Sequence, residues 1–105
     1  MVVSSITTDV VKVGSHLDVR NVGHVRATLH ATIEAAATQV VLDMAALEVI
    51  DAAGLGMLTA AHLRCERAGL RLVLRNCPRE VRRVLAVTRL NRILHVDRQH
   101  VQLSA

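Results

Sequence analysis

With 105 residues, 51% of them hydrophobic and 21% charged, the chain suits a single small domain and is too apolar to remain disordered. It contains no Phe, Tyr or Trp, so a close-packed core of Val, Leu, Ile, Ala and Met is expected, and the aromatic platforms on which single-strand nucleic-acid binders stack bases are excluded. The net charge of +4 is unevenly divided: residues 1–63 hold Lys12, Arg20 and Arg26 against six carboxylates, whereas residues 64–105 hold ten arginines against Glu66, Glu80 and Asp97. Such a basic half attracts acidic partners, although an arginine-rich surface more often only solvates a face. Cys65 and Cys77 are too few for a disulfide framework. The N-terminus lacks the basic and apolar segments of a secretory signal, and no apolar run approaches the roughly 20 residues that span a bilayer. One cytoplasmic domain over residues 1–105, with no membrane insertion, is the expectation.

In chain order, Val10 to Val13 reads as a strand halted at Gly14. Asn21 is placed to cap a helix, its side-chain oxygen accepting a first-turn N–H. Val22, Val25, Leu29, Ile33 and Ala36 then recur on one helical face, with Arg26, His30 and Glu34 on the others. Val40-Val41-Leu42 is apolar without alternation, as in a strand covered on both sides. Leu47 to Ile50 leads into Asp51, a cap for a helix running to Ala68, along which Leu55, Leu58, Ala61, His62 and Cys65 share a face. Gly69 is a natural stop. Leu70 to Leu74 reads as a strand. Cys77 occupies the next N-cap position, with Pro78 at the first helical residue, where its missing N–H costs nothing. Val81, Val84, Leu85 and Thr88 mark a third helix, Leu90 to Leu94 a short fourth, and residues 95–103 an edge strand. Strands alternating with helices of these lengths predict an α/β layer fold.

The stretch Val41-Leu42-Asp43, a short spacer, and then Val49-Ile50-Asp51-Ala52-Ala53-Gly54-Leu55-Gly56 resembles the signature of STAS domains, in which a buried strand runs into an Asp-Ser-Ser/Ala-Gly-Leu-Gly turn at a helix N-terminus. Gly14-Ser15-His16-Leu17-Asp18 resembles the family's Gly-Glu-Leu-Asp segment, with His16 in place of the acid. Gly69-Leu70-Arg71-Leu72 is similar to the start of its fourth strand, and Val81 to Leu85 with Leu90 to Leu94 to its C-terminal helices. The resemblance implies a mixed sheet of four to five strands with about four helices against it. It also implies the role of an anti-sigma factor antagonist, which binds an anti-sigma factor (often a serine kinase) in bacterial partner switching. The alternatives it leaves open are a scaffold subunit of a stress-signalling complex and an accessory STAS subunit of a transporter. Oligomeric state, monomer or homodimer, stays open.

In that family the kinase modifies the serine that follows the turn's Asp, ending binding. Here that position is Ala52, followed by Ala53, so no hydroxyl is present to receive the −1.5 to −2 charges of a phosphate, roughly. Thr59, the nearest downstream hydroxyl, lies about 10 Å further along a helix. The expected partner surface comprises Asp51, Ala52, Ala53, Gly54, Leu55, Gly56 and Met57, joined by the neighbouring segment from Asp18 to Asn21. Gly54 and Gly56 either admit a partner backbone or let the helix pack on the sheet, and Met57 is either an adaptable contact or a core residue.

Other constellations point less far. Cys77, at a helix start beside Arg75 and Arg79, is a candidate redox residue because such surroundings lower a thiol's pKa; Cys65 is its conceivable partner or a small core residue. His62 and Cys65 share a helix face at i, i+3, but a structural zinc site needs four ligands, and no metal or cofactor is expected. No nucleophile–base arrangement, P-loop or GxGxxG appears, so a binding protein rather than an enzyme is expected.

Overall fold

The computed structural model describes residues 9–97. Its elements are β1 (Asp9–Lys12), β2 (His16–Leu17), α1 (Val22–Ala35), β3 (Gln39–Asp43), β4 (Val49–Ile50), α2 (Ala52–Arg67), β5 (Arg71–Arg75), α3 (Arg79–Val87), a 3₁₀ turn (Leu90–Arg92) and β6 (His95–Val96). The main sheet runs β1-β3-β5-β6, so strand order follows chain order, and a second, two-stranded sheet pairs β2 with β4. Every pairing among the described residues is parallel. The α/β expectation and the strand count of four hold; the fourth helix is only the 3₁₀ turn, and residues 98–103 of the expected edge strand lie outside the described residues.

Side-chain alternation divides the main sheet. The register sets Val11 opposite Leu42, Val40 opposite Leu72 and Leu42 opposite Leu74, and all five side chains enter one core with Val25, Leu29 and Ile33 of α1, Leu58, Ala61 and Cys65 of α2, and Val81 and Leu85 of α3. The three helices therefore share one face, as successive right-handed crossovers in chain order require. Val10, Val41 and Val73 point the other way. The unalternating Val40-Val41-Leu42 run is fully buried, as its composition predicts.

The helix ends explain the segment lengths. Gly69 at φ +76° closes α2: its N–H donates to Glu66 O at 3.1 Å, and the Leu70 N–H donates to Cys65 O at 2.8 Å. This paired arrangement satisfies the last carbonyls and needs a residue at ease with positive φ. At the start of α3, Pro78 is itself the N-cap, its carbonyl accepting the Arg82 N–H at 2.9 Å. Cys77 thus lies one residue outside the helix and is buried in the core.

Candidate protein-docking site

The short β2–β4 sheet creates the site. Pairing His16 with Val49 and Leu17 with Ile50 delivers the β2–α1 loop and the start of α2 to the same end of the molecule. Asp51 then joins them. Its Oδ1 accepts the Gly54 N–H at 2.9 Å, capping α2, and its Oδ2 accepts the Val19 N–H at 3.2 Å from the loop. A single carboxylate serves as helix cap and loop anchor.

The loop is held from inside as well. Asn21 precedes α1 but makes no side-chain cap. Instead its Oδ1 accepts the Asp18 N–H at 3.0 Å and its Nδ2 donates to His16 O at 2.8 Å, which corrects the capping expectation. The Asp18 carbonyl accepts the Asn21 and Val22 N–H groups. The buried Asp18 carboxylate accepts the Arg20 backbone N–H at 3.0 Å and pairs with the Arg20 guanidinium at 2.7 Å. The side-chain hydrogen bond from Arg20 holds the Asp18 carboxyl below its ordinary range. Asp18 and Asn21 shape the loop, and their polar atoms are engaged within it.

The helix start offers a mixed set of residues. Ala52 and Gly56 are exposed, Ala53 and Leu55 half-buried. Met57 is only 3% exposed and belongs to the core, so it is not a contact residue. Gly54 is buried as well, and a Cβ there would collide with the Leu17 carbonyl oxygen, which makes its packing role the operative one. Gly56 is the reverse case, with nothing within 4 Å of an added Cβ. Thr59 spends its hydroxyl inside α2, donating to Leu55 O at 3.1 Å.

Two exposed valines lie near it, Val19 inside the expected Asp18 to Asn21 segment and Val49 outside the expected surface. Val19 is 73% exposed and Val49 51% exposed; one lies in the loop anchored by Asp51, the other two residues before that cap. An isolated valine between Asp18 and Arg20 was the available signal for the first. Val19 joins Ala52 and Gly56 as exposed, uncharged positions beside the solvent-facing Arg20 guanidinium, whereas Val49 lines a groove with Glu48, Glu80 and Arg83 on the α3 side.

The redox expectation fails on burial. Desolvation pushes the Cys77 thiol up to about 11, against a smaller opposing effect of Arg82, and it raises Cys65 too. Both thiols are buried, the reverse of a reactive-thiolate environment. His62 and Cys65 do not form a ligand pair either; His62 approaches Glu66 and His95.

Among the described residues, no helix is long and apolar enough to cross a membrane. Solved structures share the fold. A candidate anti-sigma factor antagonist from Thermotoga maritima superposes with TM-score 0.74 at 23% identity, over 87% of this chain and 80% of its own. The unphosphorylated form of the anti-sigma factor antagonist SpoIIAA, from Bacillus, gives 0.68 at 22% identity, over 95% and 86% of the two chains. A sulfate transporter family protein from Wolinella succinogenes gives 0.71 at 19% identity, over 85% and 75%. No curated protein matches the chain significantly. The STAS domain profile matches residues 2–103, nearly the whole chain, and with the parallel sheet and the Asp51-capped helix described above, the chain belongs to the STAS domain family.

Proposed function

We propose that this STAS domain works by docking another protein on the exposed start of α2, and that the partner is an anti-sigma factor, held in the manner of cytoplasmic bacterial partner switching. The observation that carries the reading is the Asp51-capped helix start, which exposes only Ala52 and Gly56 in its first turn and is tethered to the loop that carries the exposed Val19. Apolar side chains on a pre-ordered backbone dock with little ordering cost, which is what a partner surface of about 800 Å² per side needs. SpoIIAA is known in phosphorylated and unphosphorylated forms. In this chain Ala52 offers a kinase no hydroxyl, so position 52 stays uncharged and binding-competent and the anti-sigma factor is sequestered constitutively. The domain acts by recognition rather than by catalysis.

The test is direct association with purified anti-sigma factors, kinase types included, measured by calorimetry. A saturable complex that is weakened by Ala52→Asp, with no change in thermal stability, supports the reading. Absence of measurable association with any of them ends it. If the partner is a kinase, Ala52→Ser restores phosphorylation and, with it, release.

A second reading is favoured by the likeness to the Wolinella transporter family protein: the same surface docks on a transporter's cytoplasmic face. Co-purification with a membrane transporter, and no binding to anti-sigma factors, would select it.

A further inference from the structure

Away from the docking site, three potential metal ligands converge where α2 meets the edge strand β6. His62 and Glu66 are one turn apart on α2, with His62 Nε2 at 3.5 Å from Glu66 Oε2. His95, on β6, sets its ring centroid 5.4 Å from that of His62 with the planes tilted by 59°. One ligand atom from each of the three residues lies within 4.8 Å of the others. We propose that His62, Glu66 and His95 form a binding site for a zinc-type divalent cation, tying β6 to α2.

The geometry is close to what such an ion requires. With zinc–nitrogen and zinc–oxygen distances near 2.0–2.1 Å, ligand atoms at tetrahedral angles sit roughly 3.4 Å apart. The His62–Glu66 separation of 3.5 Å already meets this. The largest separation has to contract by no more than about 1.4 Å, within reach of side-chain rotation because Glu66 is exposed and His95 only half-buried. Two imidazoles and a carboxylate with a fourth, solvent-facing position make a donor set suited to zinc.

The buried ring bears on the charge balance between His62 Nε2 and Glu66. His62 is 4% exposed, and its Nδ1 is buried without a hydrogen-bond partner. If the proton sits on Nε2, facing Glu66, a bare nitrogen is stranded in the core. If it sits on Nδ1, an N–H is stranded there, and the Nε2 lone pair confronts the Glu66 carboxylate. A cation between Nε2 and the carboxylate turns that second arrangement from repulsive to attractive while leaving the Nδ1 N–H unpaired, and the buried ring is already immobilised for it. Arg71, whose charge acts on His95, is a like charge that a bound cation would meet.

Titration of the purified chain with ZnCl2 by calorimetry, and with Co2+ by visible absorption, tests the assignment. The expected result is one ion per chain, tetrahedral-type cobalt bands, and affinity falling in both His95→Ala and Glu66→Gln by at least about tenfold, the loss that even outer-shell partners of zinc can cause. Both substitutions are at accessible positions, so both variants should fold as the parent does, checked by circular dichroism. Absence of one-to-one binding, or undiminished affinity in either variant, overturns the assignment. Neither result bears on binding at the α2 start.

Discussion

Gly54 and Gly56 are two residues apart on one helix, yet the structure predicts opposite consequences for the same substitution. In Gly54→Ala the new methyl meets the Leu17 carbonyl oxygen far inside van der Waals contact and Ile50 Cγ1 at 3.0 Å. The obstacle is backbone, and that carbonyl also receives the Asp51 N–H at 3.4 Å. It cannot rotate aside, so β2 or the helix start has to move. Overpacking of this kind costs 1–3 kcal/mol, and a backbone obstacle belongs at about 3. The better helix propensity of Ala returns up to about 1 kcal/mol, leaving a net loss of about 2. With an unfolding entropy of about 2.1 cal/mol/K per residue, a 105-residue chain loses roughly 9 °C in Tm. Gly56→Ala meets nothing within 4 Å, so only propensity acts, and Tm rises by roughly 2–4 °C. Urea and thermal unfolding followed by circular dichroism measure both. A Gly54→Ala protein as stable as the parent, or more stable than Gly56→Ala, would refute the close approach of α2 to β2.

Asp51→Ala removes the cap and the Val19 tether together; a loss of about 0.5–2 kcal/mol in urea unfolding is expected, with faster amide exchange at Val19. Unchanged exchange there would show that the loop has another anchor. Both thiols should resist a disulfide reagent at pH 8 in the folded chain and react fully once it is denatured. The raised Cys77 pKa adds an alkaline signature: its stabilising effect is complete below the unfolded value near 9.0 and is lost as pH rises toward about 11, so Cys77→Ala should flatten the alkaline decline. Fast labelling of the native chain would contradict the burial. The depressed Asp18 pKa works at the other end of the scale: its contribution is present above the ordinary value of 3.8 and is lost as pH falls through the lower folded value. Asp18→Asn should therefore show a shallower acid decline in stability, and coincident acid profiles would count against the Arg20 pair.

Much of the fold was legible because the chain states it locally. The 3.6-residue spacing of Val25, Leu29 and Ile33, the unbroken Val40-Val41-Leu42 run and the Asp51 and Gly69 helix boundaries each need only neighbouring residues to be understood. What stayed hidden depends on contacts across the chain. Asn21 has the chemistry of a cap, but the competing partners Asp18 N–H and His16 O become available only when β2 folds back. Cys77 looked reactive from its arginine neighbours, whereas the decisive influence is the core around it. Gly54 faces the Leu17 carbonyl, 37 residues earlier in the sequence, and nothing near Gly54 announces that. The convergence of His62 with His95 likewise arises from the placement of β6 beside β5, not from any spacing of the two histidines.

Because strand order in the main sheet repeats chain order, each βα unit finds its neighbour immediately before it. Assembly needs no late insertion of a strand between two others, but each parallel pairing must close a loop of 22 to 33 residues, a non-local step that slows folding. A nascent chain emerging from the ribosome could add one strand and one helix at a time to a growing layer. Among the described residues, the edge that grows last carries β6.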